Sequence, residues 1–367
     1  MEETSMIRHR RFFASRWTRF IVAVLIAAVL AAIAFSPTPY YIVQPGSAIE
    51  LEPMVTVEGG EKDEKGVLML TTVRMGKANV LGYLYAKISP YAELINEKAI
   101  HSPHETDEQY NRRELQEMKH SQENAMIVAF RKAGLPVKIN ERGALVVFLI
   151  PNMPAEKYLK IGDVIIGVDG KNIKNAKQLL TSLKGRQAGE KVKLTYIRDG
   201  HAKTVEMTLK ALPQAPGEKI RGGIGIAYPD PDGAVTARDV ELPKRVTIQT
   251  ENIGGPSAGM MFTLEIINQL MPGDLTKGYR IAGTGEIHEN GTVGPIGGVE
   301  HKVRAADKMK ADIFFVPDNP VPPGSKARSN YADAKAEAEK LNTGMKIVPV
   351  RTVDDAIRYL ESLPPKQ

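Results

Sequence analysis

The chain has 367 residues, of which 43% are hydrophobic and 25% charged, so it is long enough for two or three domains and too apolar for an intrinsically disordered protein. It contains no cysteine, which excludes disulfide bonds, thiolate nucleophiles and thiolate-ligated metals. The formal net charge of +6 does not indicate nucleic-acid binding, because five arginines lie within the first 19 residues and no basic run is interleaved with aromatic residues.

An uncharged apolar segment near the N-terminus, Phe20–Phe35, follows these arginines and Trp17. The pattern predicts a transmembrane anchor over residues 17–36, close to the roughly 20 residues of a typical span. The positive flank predicts a cytoplasmic basic tail, residues 1–16, and an extracytoplasmic position for the rest of the chain. A cleaved signal peptide is the alternative, since Ala32-Ile33-Ala34 resembles a cleavage site. The apolar run exceeds the roughly 7–15 residues usual in signal peptides, which favours the anchor.

The next segment, residues 37–134, is predicted to be extracytoplasmic and to begin an α/β unit. Its apolar runs at 54–57 and 67–73 predict strands. A polar stretch, residues 101–117, leads into a helix predicted from Ser121 to Lys132, where apolar residues recur at helical spacing.

A strand predicted over 143–150 precedes the run Gly162–Gly170 (GDVIIGVDG). Here the chain resembles a bacterial PDZ domain over residues 135–212, with a helix within 171–184. An Asp-Gly hairpin turn between two buried strands is the alternative explanation of this run. The resemblance implies that an extended peptide adds to an edge strand over 144–150, so the predicted peptide-binding residues are Ala144, Leu145, Val146 and Val147. No clear Gly-Leu-Gly-Phe loop is present to bind a terminal carboxylate.

Strands and helices are predicted to alternate through the last part of the chain, residues 213–367, which indicates an α/β domain. It begins with a Pro/Gly-rich connection over 213–222. The predicted elements are strands at 246–250, 313–317 and 346–350, a hairpin within 281–293 that turns at Asn290-Gly291, and helices at 257–270, 332–341 and after 350.

Two positions in this domain predict covalent catalysis. Ser257 follows two glycines and a proline and opens a predicted helix, whose positive N-terminal end favours a developing oxyanion. Lys302 shares the apolar stripe of another predicted helix, and a desolvated lysine loses its proton readily enough to act as a general base. The alternatives are a serine that only caps its helix and a lysine that reaches solvent along its apolar stem.

Three motifs occur in the order and approximate spacing of the Lon peptidase family: Gly255–Gly259 (GPSAG), Thr284–Glu286 (TGE) and Pro295–Lys302 (PIGGVEHK). The resemblance implies a catalytic dyad of Ser257 and Lys302. It also implies that Thr284 orients Lys302. From the glycine-rich loop itself, backbone amides around Gly255–Ser257 are predicted to stabilise the oxyanion, with Gly255 and Pro256 as supporting residues. Many relatives carry an acidic residue at the position of Gly254, so a role for that carboxylate is not expected here.

The helix containing Gln122–Met126 resembles the first helix of the Lon proteolytic fold, so the PDZ domain is either inserted into the protease domain or precedes it. No GxxxxGK[ST] phosphate loop occurs in the sequence. The closest resemblance is to small membrane-anchored bacterial Lon-like proteases. It implies ATP-independent cleavage of peptides or loosely folded proteins outside the membrane, and by analogy a homo-oligomeric, hexameric ring.

Two rival functions are a non-catalytic membrane adaptor that binds partners through its PDZ domain and, less favoured, a phosphate-binding kinase-like domain. No cofactor or metal is predicted, since the histidines do not show a metal-binding spacing. Solvated side chains are expected for four of them: His101, His104, His288 and His301.

Overall fold

The computed structural model describes residues 16–61, 65–101, 105–212, 221–226, 235–251, 253–321 and 328–366. The predicted basic tail except Arg16, most of the predicted connection 213–222, and His104 lie outside these ranges. The described chain divides into two compact units, which are treated separately below. One comprises the residues up to Gln44 together with Met75–Glu97, and the other comprises Pro45–Arg74 and the residues from Lys98 onward.

The helices of the described residues are α1 (Arg16–Ala34), α2 (Val80–Ile88), α3 (Glu97–Ile100), α4 (Asp107–Lys132), α5 (Pro154–Tyr158), α6 (Ala176–Leu183), α7 (Gly259–Leu270), α8 (Val299–Lys308), α9 (Asn330–Leu341) and α10 (Val353–Glu361). The strands are β1 (Pro37–Glu50), β2 (Val55–Val57), β3 (Val67–Asn79), β4 (Glu93–Asn96), β5 (Lys138–Leu145), β6 (Val164–Val168), β7 (Lys171–Asn172), β8 (Lys191–Arg198), β9 (His201–Thr208), β10 (Lys210–Ala211), β11 (Gly222–Gly223), β12 (Val235–Glu241), β13 (Val246–Ile248), β14 (Arg280–Gly283), β15 (Glu286–Ile287), β16 (Val293–Gly294), β17 (Ile313–Pro317) and β18 (Lys346–Val350).

The first unit contains α1, the one helix of the described residues that is long and apolar enough to cross a membrane, over Trp17–Ala34. None of that stretch is buried. In the same unit β4 pairs antiparallel with the beginning of β1, from Tyr40 opposite Asn96 to Val43 opposite Glu93. Helix α2 begins at an Asn79 cap, whose side chain accepts a hydrogen bond from Gly82 N.

The second unit contains a parallel sheet in the order β18-β17-β14-β3 with helices on both faces. Alternate residues of β17 point to opposite faces, as the period of a strand requires. Ile313 and Phe315 join a core with α4, α7 and α10, whereas Phe314 and Val316 join a core with α8 and α9. The predicted α/β class is confirmed, and the run of buried apolar residues in β17 is typical of a strand that is covered on both faces.

A separate core is built by residues between Ala144 and Ile224. It lies under an antiparallel sheet in the order β12-β5-β6-β8-β9, covered by α5 and α6. The domain boundary expected at residue 212 falls inside this sheet, because β12 at 235–241 pairs with β5 along its length. The sheet core is therefore closed by a strand that the sequence placed in the following domain.

Arg238 of β12 connects this sheet to α4 and to the hairpin of β15 and β16. Its side chain is nearly buried, donates a 2.7 Å hydrogen bond to Glu289 Oε2, and also donates to Asn124 Oδ1 of α4. Asn124 in turn donates to Ile287 O at 2.9 Å. The edge strand β12 is thus tied to the hairpin of β15 and β16.

Helix α4 begins at Asp107, well before the expected start at Ser121. A capping box explains the difference, because Thr106 and Gln109 each accept a hydrogen bond from the other's backbone N–H. Arg113 pairs with Glu105 at 3.0 Å, which adds a charge interaction across the first turns. Polar residues that resemble a loop in the sequence are therefore helical.

Candidate active site

Ser257 lies in a tight turn between β13 and α7, and its hydroxyl does not cap the helix. The helix begins two residues later than expected, at Gly259, and its cap residue is Ala258, which makes no side-chain cap. Gly255 has φ of +85°, a left-handed conformation that residues with a Cβ rarely adopt. The turn therefore leaves the Ser257 hydroxyl available for another partner.

The two glycines before the serine have separate physical requirements. A Cβ at Gly254 would lie 2.8 Å from Glu114 Cβ of α4, so a larger residue there would collide with that helix. Gly255 N donates a 2.8 Å hydrogen bond to Glu114 O, which fixes the turn against α4. The space that an acidic side chain would occupy at position 254 is thus filled by α4.

Lys302 reaches Ser257 from α8. Its Nζ lies 2.6 Å from Ser257 Oγ and donates a 2.9 Å hydrogen bond to Thr284 Oγ1. Thr284 Oγ1 also donates to Ser257 O at 3.1 Å, so its hydroxyl has both a donor and an acceptor partner. The three residues named from the sequence are brought together at the end of β14.

Burial changes the acid–base chemistry of this lysine. The side chain is 3% exposed, and this desolvation lowers the pKa of Lys302 from 10.5 to about 7. No carboxylate forms an ion pair with Lys302 among the described residues. Near neutral pH a large fraction of Lys302 is therefore the free amine, which accepts a proton from a hydroxyl.

The backbone on both sides of Ser257 is held by buried donors. Gly285 N donates to Ser257 O at 2.8 Å, and Met260 N donates to Gly285 O at 3.1 Å. Ser121 Oγ of α4 donates to Pro256 O at 2.8 Å. These bonds preorganise the turn before any substrate arrives.

The expected support of an oxyanion by Gly255 and Pro256 is corrected by this geometry. The Gly255 N–H already bonds Glu114 O, and Pro256 has no N–H to donate. Within the described ranges, the backbone N–H groups of Ser257 and Ala258 donate to no protein acceptor, and they lie at the positive end of α7. These two amides, rather than the preceding pair, are suited to an oxyanion.

A cleft of about 300 Å³ opens beside the serine. Its floor is apolar and includes Ile49, Leu70, Met118 and Ile253, while Ser257 and Lys302 line one side. The middle of β3, residues 70–74, also lines the cleft and has exposed positions at 73 and 74. The cleft offers apolar surface and strand backbone next to the Ser257 hydroxyl.

Two carboxylates of α4 near the turn were missed in the sequence. Burial raises the pKa of Glu117 to about 7, with a further contribution from the charge of Glu114, whose own pKa is also raised by burial. Both contact Arg113, at 3.5 Å and 3.2 Å. The sequence signal was the spacing of Glu114 and Glu117, which are three residues apart. This spacing places them on one helical face only when α4 is known to start at Asp107.

The expected peptide-binding strand is not an edge strand. Ala144 and Leu145 pair with Ile165 and Val164 on one side and with Thr236 and Val235 on the other. Val146 and Val147 are buried and follow the end of β5. The prediction for this strand is wrong because β12, distant in sequence, occupies the edge.

A groove suited to an extended peptide lies elsewhere in the same domain. It has a volume of about 490 Å³ and runs between α6 and the segment Gly222–Ile226. Leu180 and Leu183 line its helical side, and Ile224 and Ile226 line the other. The sequence Gly223-Ile224-Gly225-Ile226 resembles the missing carboxylate loop, a signal that was available but lay beyond the expected boundary.

The histidines differ from the expectation of solvated side chains. His301 is 5% exposed and His101 is 6% exposed, whereas His288 is partly buried. His101 Nδ1 lies 3.1 Å from Glu105 O. Among the described residues no group of three or more histidine, aspartate and glutamate side chains is arranged to hold a metal ion.

Comparisons with protein families match two segments of the chain. Residues 131–209 match the PDZ domain, and residues 249–361 match the C-terminal proteolytic domain of Lon protease, family S16. A Lon protease of Metamycoplasma arthritidis is 36% identical over 107 residues, 29% of this chain and 11% of that protein. A probable periplasmic DegP-like serine endoprotease of Marinomonas is 39% identical over 75 residues, 20% of this chain and 16% of that protein. The chain thus spans 11% and 16% of the length of these two relatives.

Comparison with solved structures gives short matches, each over about a quarter of this chain. The PDZ domain of an SdrC-like protein from Listeria monocytogenes is 26% identical, covers 24% of this chain and 90% of its own, and has a TM-score of 0.22. A solution structure from Geobacillus thermodenitrificans is 35% identical, covers 23% of this chain and 95% of its own, and has a TM-score of 0.21.

Proposed function

Since the chain combines a PDZ domain with a Lon-type proteolytic domain, we propose that it is a serine endopeptidase in which Ser257 is the nucleophile and Lys302 the general base. The observation that carries the proposal is the 2.6 Å separation of Ser257 Oγ from the Nζ of a buried lysine whose pKa is lowered to about 7. A nucleophile within hydrogen-bond reach of a neutral base is the minimum that acyl transfer requires.

In the proposed reaction, neutral Lys302 takes the hydroxyl proton as Ser257 Oγ attacks the scissile carbonyl. The ammonium form then gives that proton to the leaving amine, and the C-terminal product departs. Water, activated by the same amine, hydrolyses the acyl-enzyme. Thr284 acts as a positioning residue, since it accepts one Nζ hydrogen and so directs the lone pair of Lys302 to Ser257. The backbone amides of Ser257 and Ala258 stabilise both oxyanions.

We assign substrate binding to the groove between α6 and Gly222–Ile226. An extended peptide placed there adds backbone hydrogen bonds to the segment and places apolar side chains against Leu180 and Leu183. We also propose that this domain is inserted into the proteolytic domain. Support comes from α4, whose Phe130 and Ala125 share a core with α7, although the PDZ residues lie between the two helices in sequence.

The proposed location is a cell membrane, with α1 as a single anchor and the remainder outside the cytoplasm. The arginine-rich flank and the apolar, exposed α1 support this orientation. Cleavage is proposed to require no ATP, because the sequence carries no phosphate loop. Substrates are then peptides or loosely folded proteins, and assembly into a homo-oligomeric ring is proposed by analogy with Lon proteolytic domains.

The test is cleavage of an unfolded protein by the full chain in detergent without ATP, compared with Ser257→Ala and Lys302→Ala. Wild-type cleavage lost in both variants is the expected result. Cleavage that survives in either variant contradicts the dyad. If wild type fails with both unfolded proteins and peptide libraries, the non-catalytic PDZ adaptor replaces the protease as the function.

A further inference from the structure

A row of exposed apolar side chains lies along α2. Leu81, Leu84, Tyr85 and Ile88 stand at positions i, i+3, i+4 and i+7, so they share one face of the helix. Their exposed fractions are 50%, 56%, 48% and 85%. Such contiguous apolar surface marks an interaction site when it is not covered within the chain.

The opposite face of α2 is packed within the same unit, which fixes the direction of the exposed face. Ala86 is buried, and a Cβ at Gly82 would lie 2.7 Å from Ile42 Cδ1. The rings of Tyr83 and Tyr40 pack with centroids 5.2 Å apart. Helix α2 therefore cannot turn its leucines inward without losing these contacts.

The beginning of α2 lies beside the end of α1. Val80 N donates a 3.1 Å hydrogen bond to Ser36 O, two residues beyond the end of α1 at Ala34. Thr38 Oγ1 donates to Ala78 O at 2.7 Å, which reinforces this junction. The beginning of α2 thus lies next to the point where the chain leaves the apolar helix α1.

We propose that α2 is an interfacial helix that lies on the membrane leaflet from which the chain emerges, with lipid as the partner of its apolar face. The inference rests on the proposed anchoring of the chain by α1. Tyrosine is a common residue at this depth, and Tyr85 is 48% exposed on the apolar face of the helix. The protein thus contacts the bilayer through two helices rather than one.

The absence of cysteine allows a direct test with single-cysteine variants of the full chain. Leu84→Cys and Ile88→Cys report on the apolar face. Lys87→Cys is the matched control, exposed on the same helix but outside that face, and Leu25→Cys reports on the anchor. Each variant is labelled with an environment-sensitive fluorophore and reconstituted into vesicles of phosphatidylethanolamine and phosphatidylglycerol.

The expected result is a blue-shifted emission at positions 84 and 88, with quenching by spin-labelled lipid and loss of quenching by aqueous iodide, and neither change at position 87. Equal iodide quenching at all three positions overturns the inference while lipid quenching at position 25 leaves the anchor intact. Protection from iodide without quenching by spin-labelled lipid also overturns it, because a protein then covers the helix. Absence of lipid quenching at position 25 removes the membrane anchor and the inference together.

Discussion

The cleft beside Ser257 and the groove beside α6 both contain lysines, but the lysines lie in opposite environments. Lys302 is buried beside Ser257, and its desolvation lowers its pKa to about 7. Lys177 and Lys184 at the groove stay exposed at the rim of an apolar channel. The difference teaches that the same residue type has different chemistry in the two places. Burial changes the acid–base behaviour of Lys302, whereas the exposed lysines of the groove leave its apolar surface open to a ligand.

The sharpest test of this contrast replaces the buried base. Lys302→Met should lower kcat/KM by about 10⁴-fold or more, as loss of a base from a catalytic unit does in other serine proteases. The folded protein should nevertheless become more stable. Burial lowers the pKa of Lys302 from 10.5 to about 7, which costs the folded protein free energy at neutral pH. A methionine at this position has no charge to desolvate and avoids this cost.

The stability gain should be about 2–4 kcal/mol at pH 7 after allowance for the lost hydrogen bonds, and it should have a defined pH dependence. The depressed pKa penalises the wild type fully below pH 7, and the penalty disappears as pH rises towards 10.5, where the unfolded lysine also loses its proton. Thermal melting at pH 7 and pH 10 measures how the stability difference between Lys302→Met and wild type decreases. A methionine variant less stable than wild type at pH 7 would contradict desolvation as the cause of the lowered pKa.

A smaller effect is expected at the residue that orients the base. Thr284→Val removes the acceptor of Lys302 Nζ and the donor to Ser257 O, so kcat should fall by about 10–100-fold with little change in KM. Thr284→Ser keeps the hydroxyl and serves as the matched control. Steady-state kinetics measure kcat and KM of the two variants. Equal kcat values for Thr284→Val and Thr284→Ser would exclude a positioning role for the hydroxyl.

The rate of cleavage should also depend on pH. Below the pKa of the base, the rate should change about tenfold per pH unit. Activity should rise with pH through about 7, because the neutral form of Lys302 is the reactive one, and should level off above it. Glu117 also has a pKa raised to about 7, so its titration is the competing cause. The profile of Glu117→Gln should keep the same rising limb; a limb that disappears in this variant assigns the titration to Glu117.

The weakest expected effect lies in the groove. Leu180→Glu places a charge in the apolar channel and should raise KM by about fivefold for long peptides, with kcat unchanged. Short peptides that fill only the cleft should be unaffected. Met309→Glu, exposed outside the groove, is the control for added charge. Equal losses for long and short peptides would mean that the groove does not contribute to binding.

The sequence identified Ser257 and Lys302 as candidates because their signal is local and the family motifs contain both residues. A glycine-flanked serine and a lysine on an apolar helical stripe are visible within short windows, and the structure places them 2.6 Å apart. The α/β class was equally predictable, since strands such as Ile313–Pro317 are fully apolar and bounded. The hydroxyl of Thr284 could be named only through the family motif that contains it.

The groove and the boundaries were harder to predict because they depend on pairing between distant residues. Strand β12 covers β5 through contacts such as Val235 with Leu145, which no local pattern reveals. The early start of α4 was hidden by its charged residues, whose partners become clear only when Arg113 and Glu105 are seen together. Burial of His301 likewise reflects packing around α8 rather than its sequence neighbours.

The pairing of β5 with β12 also brings the two ends of the antiparallel-sheet domain close together. Lys138 and Glu241, at its two ends, are direct partners in the ladder, and their side chains form a 3.0 Å ion pair. Cα atoms of such partners lie roughly 5 Å apart, so the chain enters and leaves this domain at nearly one point. A domain whose two ends lie this close can be inserted into another with little disturbance of its host, and Arg238 adds a hydrogen bond across the junction here.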